Sequence, residues 1–268
     1  MTLHHVLDWE YGPDGLHTVK RLIADGAEVD GRFGPLEETP LHVATRRRRC
    51  EAIEVLLDHG AQIDLTTAGG KTAFAHAVRR GFDDVVYLLT LRGADQRLAA
   101  ADRFAIAVLE GRLSDARAIL REHPGVARTG NPEEDRVFAD AAGRNDNEPV
   151  SFLVEVGGDL HVTGLDQGTP LHQAAWFGQP RNARILVEAG ADLDAFDPVH
   201  RSSPLHWAVH GSRYSGGASD RLEAYAEIVQ LLLAAGAGVR YPGGDEDGEY
   251  LRRLRTDAPP EIRGLLPE

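Results

Sequence analysis

The sequence predicts an all-α repeat solenoid whose unit is helix, short turn, helix and an extended, hairpin-like connection. Three observations predict it. The phrase Thr39-Pro40-Leu41-His42 returns as Thr169-Pro170-Leu171-His172 and, with serine first, as Ser203-Pro204-Leu205-His206. Counted from that first residue, units start at Thr39, Thr72, Asp102, Arg136, Thr169 and Ser203, at steps of 33, 30, 34, 33 and 34 residues. Each unit carries a large apolar residue two positions on (Leu41, Phe74, Phe104, Phe138, Leu171, Leu205) and alanine five positions on (Ala44, Ala77, Ala107, Ala141, Ala174, Ala208). A register this strict at this period marks short units that bury their apolar faces only against neighbours.

The elements follow in chain order. Residues 1–38 read as an N-terminal capping half-repeat, because His17 to Asp30 shows only a second helix and its Gly26-Ala27-Glu28 ending. From 39 to 240 each phrase starts a first helix: Thr or Ser is a good N-cap, and proline fits the first turn, where its missing N–H would be unpaired anyway. Alanine inside that helix allows a close neighbour. A second helix follows on apolar stripes at helical spacing, such as Ile53, Leu56 and Leu57, or Ala183, Leu186 and Val187. Gly60, Gly93, Gly157, Gly190 and Gly236 supply the left-handed residue that ends it. Turn chemistry comes next, as at Asp64 to Gly70 and Leu165-Asp166-Gln167-Gly168.

Two units depart from the pattern. Asp102 and Arg136 replace the hydroxyl residue, no histidine follows, and the connection from His123 to Glu134 holds Pro124, Gly130 and Pro132. Residues 98–135 are therefore expected to be irregular, either as a hinge that changes curvature or as drift in middle repeats. The sixth unit carries a twelve-residue insert at about 211–222, containing Tyr214-Ser215-Gly216-Gly217-Ala218-Ser219. With Ser219 or Asp220 as N-cap, its second helix is expected to start early and stand proud of the array, as a lid or docking site or as simple loop growth. Residues 241–268 read as a C-terminal cap, a turn at Asp245-Glu246-Asp247 followed by a helix at Tyr250 to Leu254, and the whole as one continuous solenoid domain.

Composition sets outer bounds on function. At 268 residues, 42% hydrophobic and 26% charged, the chain is neither disordered nor membrane-spanning in composition. The single cysteine, Cys50, excludes an internal disulfide, and the start lacks the basic segment and apolar core of a signal peptide, so a cytoplasmic protein is expected. A net charge of -13 argues against nucleic acid or an anionic membrane as partner. Lys20 and Lys71 are the only lysines, which reads as the mark of a GC-rich bacterial genome.

The phrase, with Thr169 to Ala175 matching T-P-L-H-x-A-A and helix ends at Gly93-Ala94-Asp95 and Gly190-Ala191-Asp192, resembles the ankyrin repeat of bacterial-type repeat proteins over about residues 17 to 240. The resemblance implies a non-enzymatic adaptor that binds protein or peptide through hairpin tips and the concave groove of the first helices. It also implies that His42, His172 and His206 are structural, each tying down the hairpin of the adjoining unit.

In such arrays unit positions eight and nine face the groove. Here they include Arg46 and Arg47, Arg79 and Arg80, Arg144, Trp176 and Phe177, and His210. The arginines suit acidic groups; alternatively they pair with Glu51, Glu54, Asp83 and Asp84 and solvate the helices. Trp176, Phe177, Trp207 and Tyr214 make an aromatic half, of the residue types that anchor interfaces, or else pack between helices as core. The alternative function is a small-molecule site or unusual ankyrin-fold enzyme in repeats four to six, with Asp140 and His210 as catalytic groups beside Gln173 and Trp207. His206 and His210 share a helix face, but no further ligands stand at metal-site spacing, so neither a metal nor a cofactor is expected. No phosphate loop or nucleophile elbow is present.

Overall fold

The computed structural model describes residues 1–164, 166–241 and 248–268. Leu165 of one expected turn, and all of the turn at Asp245-Glu246-Asp247, lie outside them. The described chain is helical, with isolated antiparallel bridges Phe33–Glu38 and Thr66–Thr72 where hairpin-like connections were expected. It forms two compact units, residues 1–106 and 107–268.

The first unit holds α1 (Leu3–Asp8), α2 (Gly15–Ala24), α3 (Pro40–Arg46), α4 (Cys50–Asp58), α5 (Ala73–Arg80), α6 (Asp83–Leu91) and the start of α7 (Ala100–Leu109). Its cap is a helix pair and not the half-repeat expected, because Thr2 caps a six-residue α1 whose Leu3, Val6 and Leu7 are buried against α3. Thr39 shows how the phrase works. Its backbone N–H donates to Nδ1 of His42 at 3.2 Å, while Nε2 of the same ring donates to the Lys71 carbonyl at 2.9 Å, tying the next hairpin. Ala44, Ala52, Ile53, Leu56, Ala77, Val85 and Leu89 are fully buried between the pairs.

The second unit runs from the end of α7 through α8 (Leu113–Glu122), α9 (Pro132–Asp135), α10 (Val137–Ala142), α11 (Glu148–Glu155), α12 (Pro170–Trp176), α13 (Pro180–Glu188), α14 (Pro204–Tyr214), a 3-10 turn (Ala218–Arg221), α15 (Leu222–Ala234), α16 (Glu249–Asp257) and α17 (Pro260–Arg263). His172 repeats the tie, with Nδ1 accepting from the Thr169 N–H at 3.1 Å and Nε2 donating to the Ser202 carbonyl at 3.1 Å. The irregular stretch is ordered by Asp135, whose carboxylate accepts from the N–H and hydroxyl of Thr129 and from the N–H of Gly130.

The insert of the sixth unit differs from expectation. Helix α14 absorbs its first residues by running to Tyr214, and the rest folds back instead of standing proud. Ala218 is buried, Arg221 donates to the Phe177 carbonyl, and the fully buried Tyr225 donates its hydroxyl to the Trp176 carbonyl at 2.8 Å. Neither Ser219 nor Asp220 caps α15, whose N-cap is Arg221. Among the described residues no helix is long and apolar enough to cross a membrane.

Candidate functional site

Helices α12 and α14 lie side by side in the second unit, and Gly211 makes that possible. A Cβ at Gly211 would stand 2.5 Å from the Trp176 carbonyl oxygen. The approach stacks a row of rings along the pair. Trp176 and Trp207 meet edge to face with centroids 6.0 Å apart, Trp176 and His210 are 5.8 Å apart at 30°, and His210 and Tyr214 are 4.4 Å apart at 40°. Trp207 is buried at the base, with its indole N–H donating to Asp197 at 2.9 Å. Asp197 also accepts from the N–H groups of Val199, His200 and Ser202, so one carboxylate shapes the hairpin and holds the ring.

These rings border a cavity of about 330 Å³ whose wall is completed by Asp166, His200, Ser202, His206 and Arg253. His206 departs from its sister histidines. Tyr250, from α16, takes over Ser203, with its hydroxyl 2.6 Å from Ser203 Oγ and accepting the Ser203 N–H at 3.3 Å. The His206 ring turns to Ser202 Oγ through Nδ1 at 3.1 Å and to Asp257 Oδ2 through Nε2 at 3.1 Å. It therefore pins α16 and not an adjoining hairpin, which corrects the role expected for it. His210 Nδ1 lies 3.8 Å from the same carboxylate oxygen. Burial pushes both imidazoles below their ordinary value, against the pull of Asp257. Burial takes His172 lower still, to about 4.

The sequence candidates separate into two groups. Trp176, Trp207 and His210 converge on the cavity, and Tyr214 continues the row as an exposed ring. Phe177 is half-exposed and lies across Gly143, where a Cβ would come within 2.7 Å of the ring. Gln173 is buried and Asp140 pairs with Arg136 at 3.3 Å; neither is among the described residues lining the cavity.

The arginines are engaged within the chain, with partners other than most of those expected. Arg46 donates to Asp8 at 2.7 and 2.9 Å and to Glu38 at 3.0 Å, and Arg47 donates to Asp8 at 2.6 Å. Burial raises the Asp8 pKa, but the hydrogen bonds from Arg46 and Arg47 outweigh it and hold the carboxyl below the usual range. Arg48 pairs with Asp84, Arg79 with the buried Asp102, and Arg144 donates to the Leu109 carbonyl. Arg80 is half-buried at the end of α5. Sequence spacing did not reveal Asp257, His200, Arg253 or Asp197. Asp257 lies 51 positions from the histidine it meets, beyond the reach of a count within one unit.

Comparison with known proteins supplies the family. A model for ankyrin repeats matches residues 10–99 and 138–242. The chain is 29% identical over 210 residues to human Rabankyrin-5, covering 72% of this chain and 18% of that protein. It is 27% identical over 174 residues to the chicken nuclear factor NF-kappa-B p105 subunit, covering 61% of this chain and 18% of that protein. The chain thus spans less than a fifth of the length of these relatives. Among solved structures, the human ASB11 ankyrin repeat domain is 23% identical with a TM-score of 0.41, over 89% of this chain and 99% of that one. The Bcl-3 ankyrin repeat domain is 22% identical with a TM-score of 0.36, over 83% and 98%. With most of its length matched by the family model and the repeat phrase seated as that family requires, the chain belongs to the ankyrin-repeat family.

Proposed function

We propose that this chain is a non-enzymatic protein- or peptide-binding module whose contact surface in the second unit is the aromatic row of Trp176, His210, Tyr214 and Phe177. The observation that carries this reading is the exposure of that row. Tyr214 is 55% exposed at the end of the row, Phe177, next along the chain from Trp176, is 39% exposed across Gly143, and Trp176 and His210 border a cavity with the buried Trp207. Large rings held rigid at a half-open site lose little entropy on binding, and Trp and Tyr are the residue types that most often anchor interfaces. Family membership supports the reading, since ankyrin arrays as a class bind proteins. The partner's chemistry follows from the Trp176 and Trp207 rings that border the cleft: an apolar or aromatic side chain. An acidic partner gathered by Arg46 and Arg79 has less support, because both side chains are spent on Asp8, Glu38 and Asp102.

The cavity itself favours a second reading, a small-ligand site. Its volume of about 330 Å³ lies at the lower end of the ~300–1,000 Å³ of ligand pockets. One experiment separates the two. Displayed peptide libraries are panned against the wild type and Trp176→Ala, with helicity checked in both. Enrichment of aromatic-bearing peptides by the wild type alone supports the module, whereas equal enrichment by both forms removes the row as the contact surface. A small molecule that binds the wild type where no peptide is enriched favours the pocket.

A further inference from the structure

We propose that His206, His210 and Asp257 form a site for one divalent transition-metal ion, of which Zn²⁺ is the reference member, with its two histidines on the wall of the cavity beside Trp176. This is independent of the peptide-binding reading. His206 and His210 stand one turn apart on α14, and Asp257 closes α16 opposite them. The ligand atoms lie within 4.8 Å of one another, with Asp257 Oδ2 at 3.1 Å from His206 Nε2 and 3.8 Å from His210 Nδ1. Two ligands each about 2.1 Å from a common ion are ~3.0 Å apart at a right angle and ~4.2 Å apart when opposite. The two contacts to Asp257 already fall in that span. His210, whose side chain is 44% exposed, has freedom to close the third side. Two imidazoles and one carboxylate suit Zn²⁺ and its transition-metal neighbours over Ca²⁺ or Mg²⁺, which prefer all-oxygen shells.

The hydrogen bonds around His206 are compatible with ligation. In His42 and His172 a backbone N–H donates to Nδ1, so Nε2 carries the proton and donates to a carbonyl. In the sixth unit that N–H is taken by Tyr250. Ser202 Oγ lies 3.1 Å from both the His200 carbonyl and His206 Nδ1, and where its one proton goes to the carbonyl the ring donates to it from Nδ1. In that tautomer Nε2 turns its lone pair toward a carboxylate oxygen 3.1 Å away, as ligation requires; in the other tautomer it donates to that oxygen. A metal ion between Nε2 and the carboxylate would take the place of the proton that otherwise joins them. A ligating histidine whose other ring nitrogen donates to a fixed oxygen is the arrangement metal sites use to set tautomer and ring direction. His206 and His210 both face the cavity, so coordination positions not filled by protein open into it.

The test titrates the full-length chain with Zn²⁺ alone by calorimetry, and with Co²⁺ by visible absorption, in the wild type, His210→Ala, Asp257→Asn and Ser202→Ala. One ion per chain is expected, with binding at least tenfold weaker in each of the first two variants and about 10–100-fold weaker in Ser202→Ala. Imidazole nitrogen spectra of the wild type guard against variants that lose their fold: Zn²⁺ should shift the His206 and His210 rings and leave His42 and His172 in place. Absence of stoichiometric binding, binding undiminished in the folded variants, or shifts confined to other histidines such as His4 and His5 would overturn the site and leave the proton as the cation.

Discussion

Asp102 looks at first like a defect in the repeat phrase, an acid where threonine should cap a helix. In the structure it is a buried counter-ion, 2.9 Å from Lys71 Nζ and 3.4 Å from Arg79. This explains one of the two lysines and shows Arg79 engaged with a buried carboxylate inside the fold. Taking one partner from a buried ionic cluster leaves charge without compensation, at about 3–5 kcal/mol. Asp102→Asn is therefore expected to lower stability by that amount in urea unfolding. Asp95→Asn, which breaks only the exposed pair with Arg97, should leave the midpoint unchanged. A midpoint equally unmoved in Asp102→Asn would show that the cluster has no structural weight. His172 contributes a pH dependence of its own, in the same direction as His206 and His210. Its pKa falls from an ordinary 6.5 to about 4 on burial, so the unfolded chain takes up the proton first as pH drops. Its stabilising contribution is complete above pH 6.5 and is lost as pH falls toward 4. Between pH 7 and pH 5 that amounts to about 2 kcal/mol. His172→Gln should lose less stability over that interval than the wild type, and an identical pH profile in the two proteins would rule the residue out as a source.

At the level of helices, what was legible in the sequence is what repeats. The starts of α3, α5, α12 and α14 follow from Thr39, Thr72, Thr169 and Ser203, and the helix ends from glycines such as Gly190, at φ +87°. What was hidden depends on residues outside the period. Asp8 pairs with Arg46 across 38 positions, from a helix too short to show a stripe, and the insert's course is fixed by Arg221 and Tyr225 finding the carbonyls of Phe177 and Trp176. The α12–α14 contact yields a prediction with an unusual sign. Glycine inside a helix is about 1 kcal/mol worse than alanine, so Gly→Ala there ordinarily stabilises. At Gly211 the added methyl would meet the Trp176 backbone at 2.5 Å, with no flexible side chain to give way. Gly211→Ala is expected to destabilise by about 1–3 kcal/mol, as overpacking does, and to shift tryptophan emission by moving Trp176 off Trp207. A gain in stability would show that the two helices are free to separate.

For the molecule as a whole, each repeat buries its apolar face only against a neighbour, so the last face must be covered by something else. In the second unit α16 and α17 do this. Tyr250, Leu254 and Ile262 are fully buried, Ala258 and Leu266 nearly so, and Tyr250 also holds Ser203 by a hydrogen bond, while burial, against the lowering effect of that bond, raises its pKa to about 12. The sequence showed a cap here only as a stripe from Tyr250 to Leu254; that this cap would also deliver Asp257 to two histidines depends on how α16 crosses α14, which no local pattern encodes. Burying a large apolar side chain contributes about 1.5–3 kcal/mol, an upper bound for a compact unfolded chain. A chain ending at residue 241 should therefore lose on the order of 5 kcal/mol. It should also expose the faces of α14 and α15 that α16 and α17 cover, bind a hydrophobic dye and yield less soluble protein. Dye binding and urea unfolding of the truncated and full chains check this together. An unchanged midpoint would mean that the sixth repeat is self-sufficient and that α16 is retained for its contacts with His206 and His210 alone. A lowered midpoint with dye binding would establish that α16 and α17 together close the repeat array.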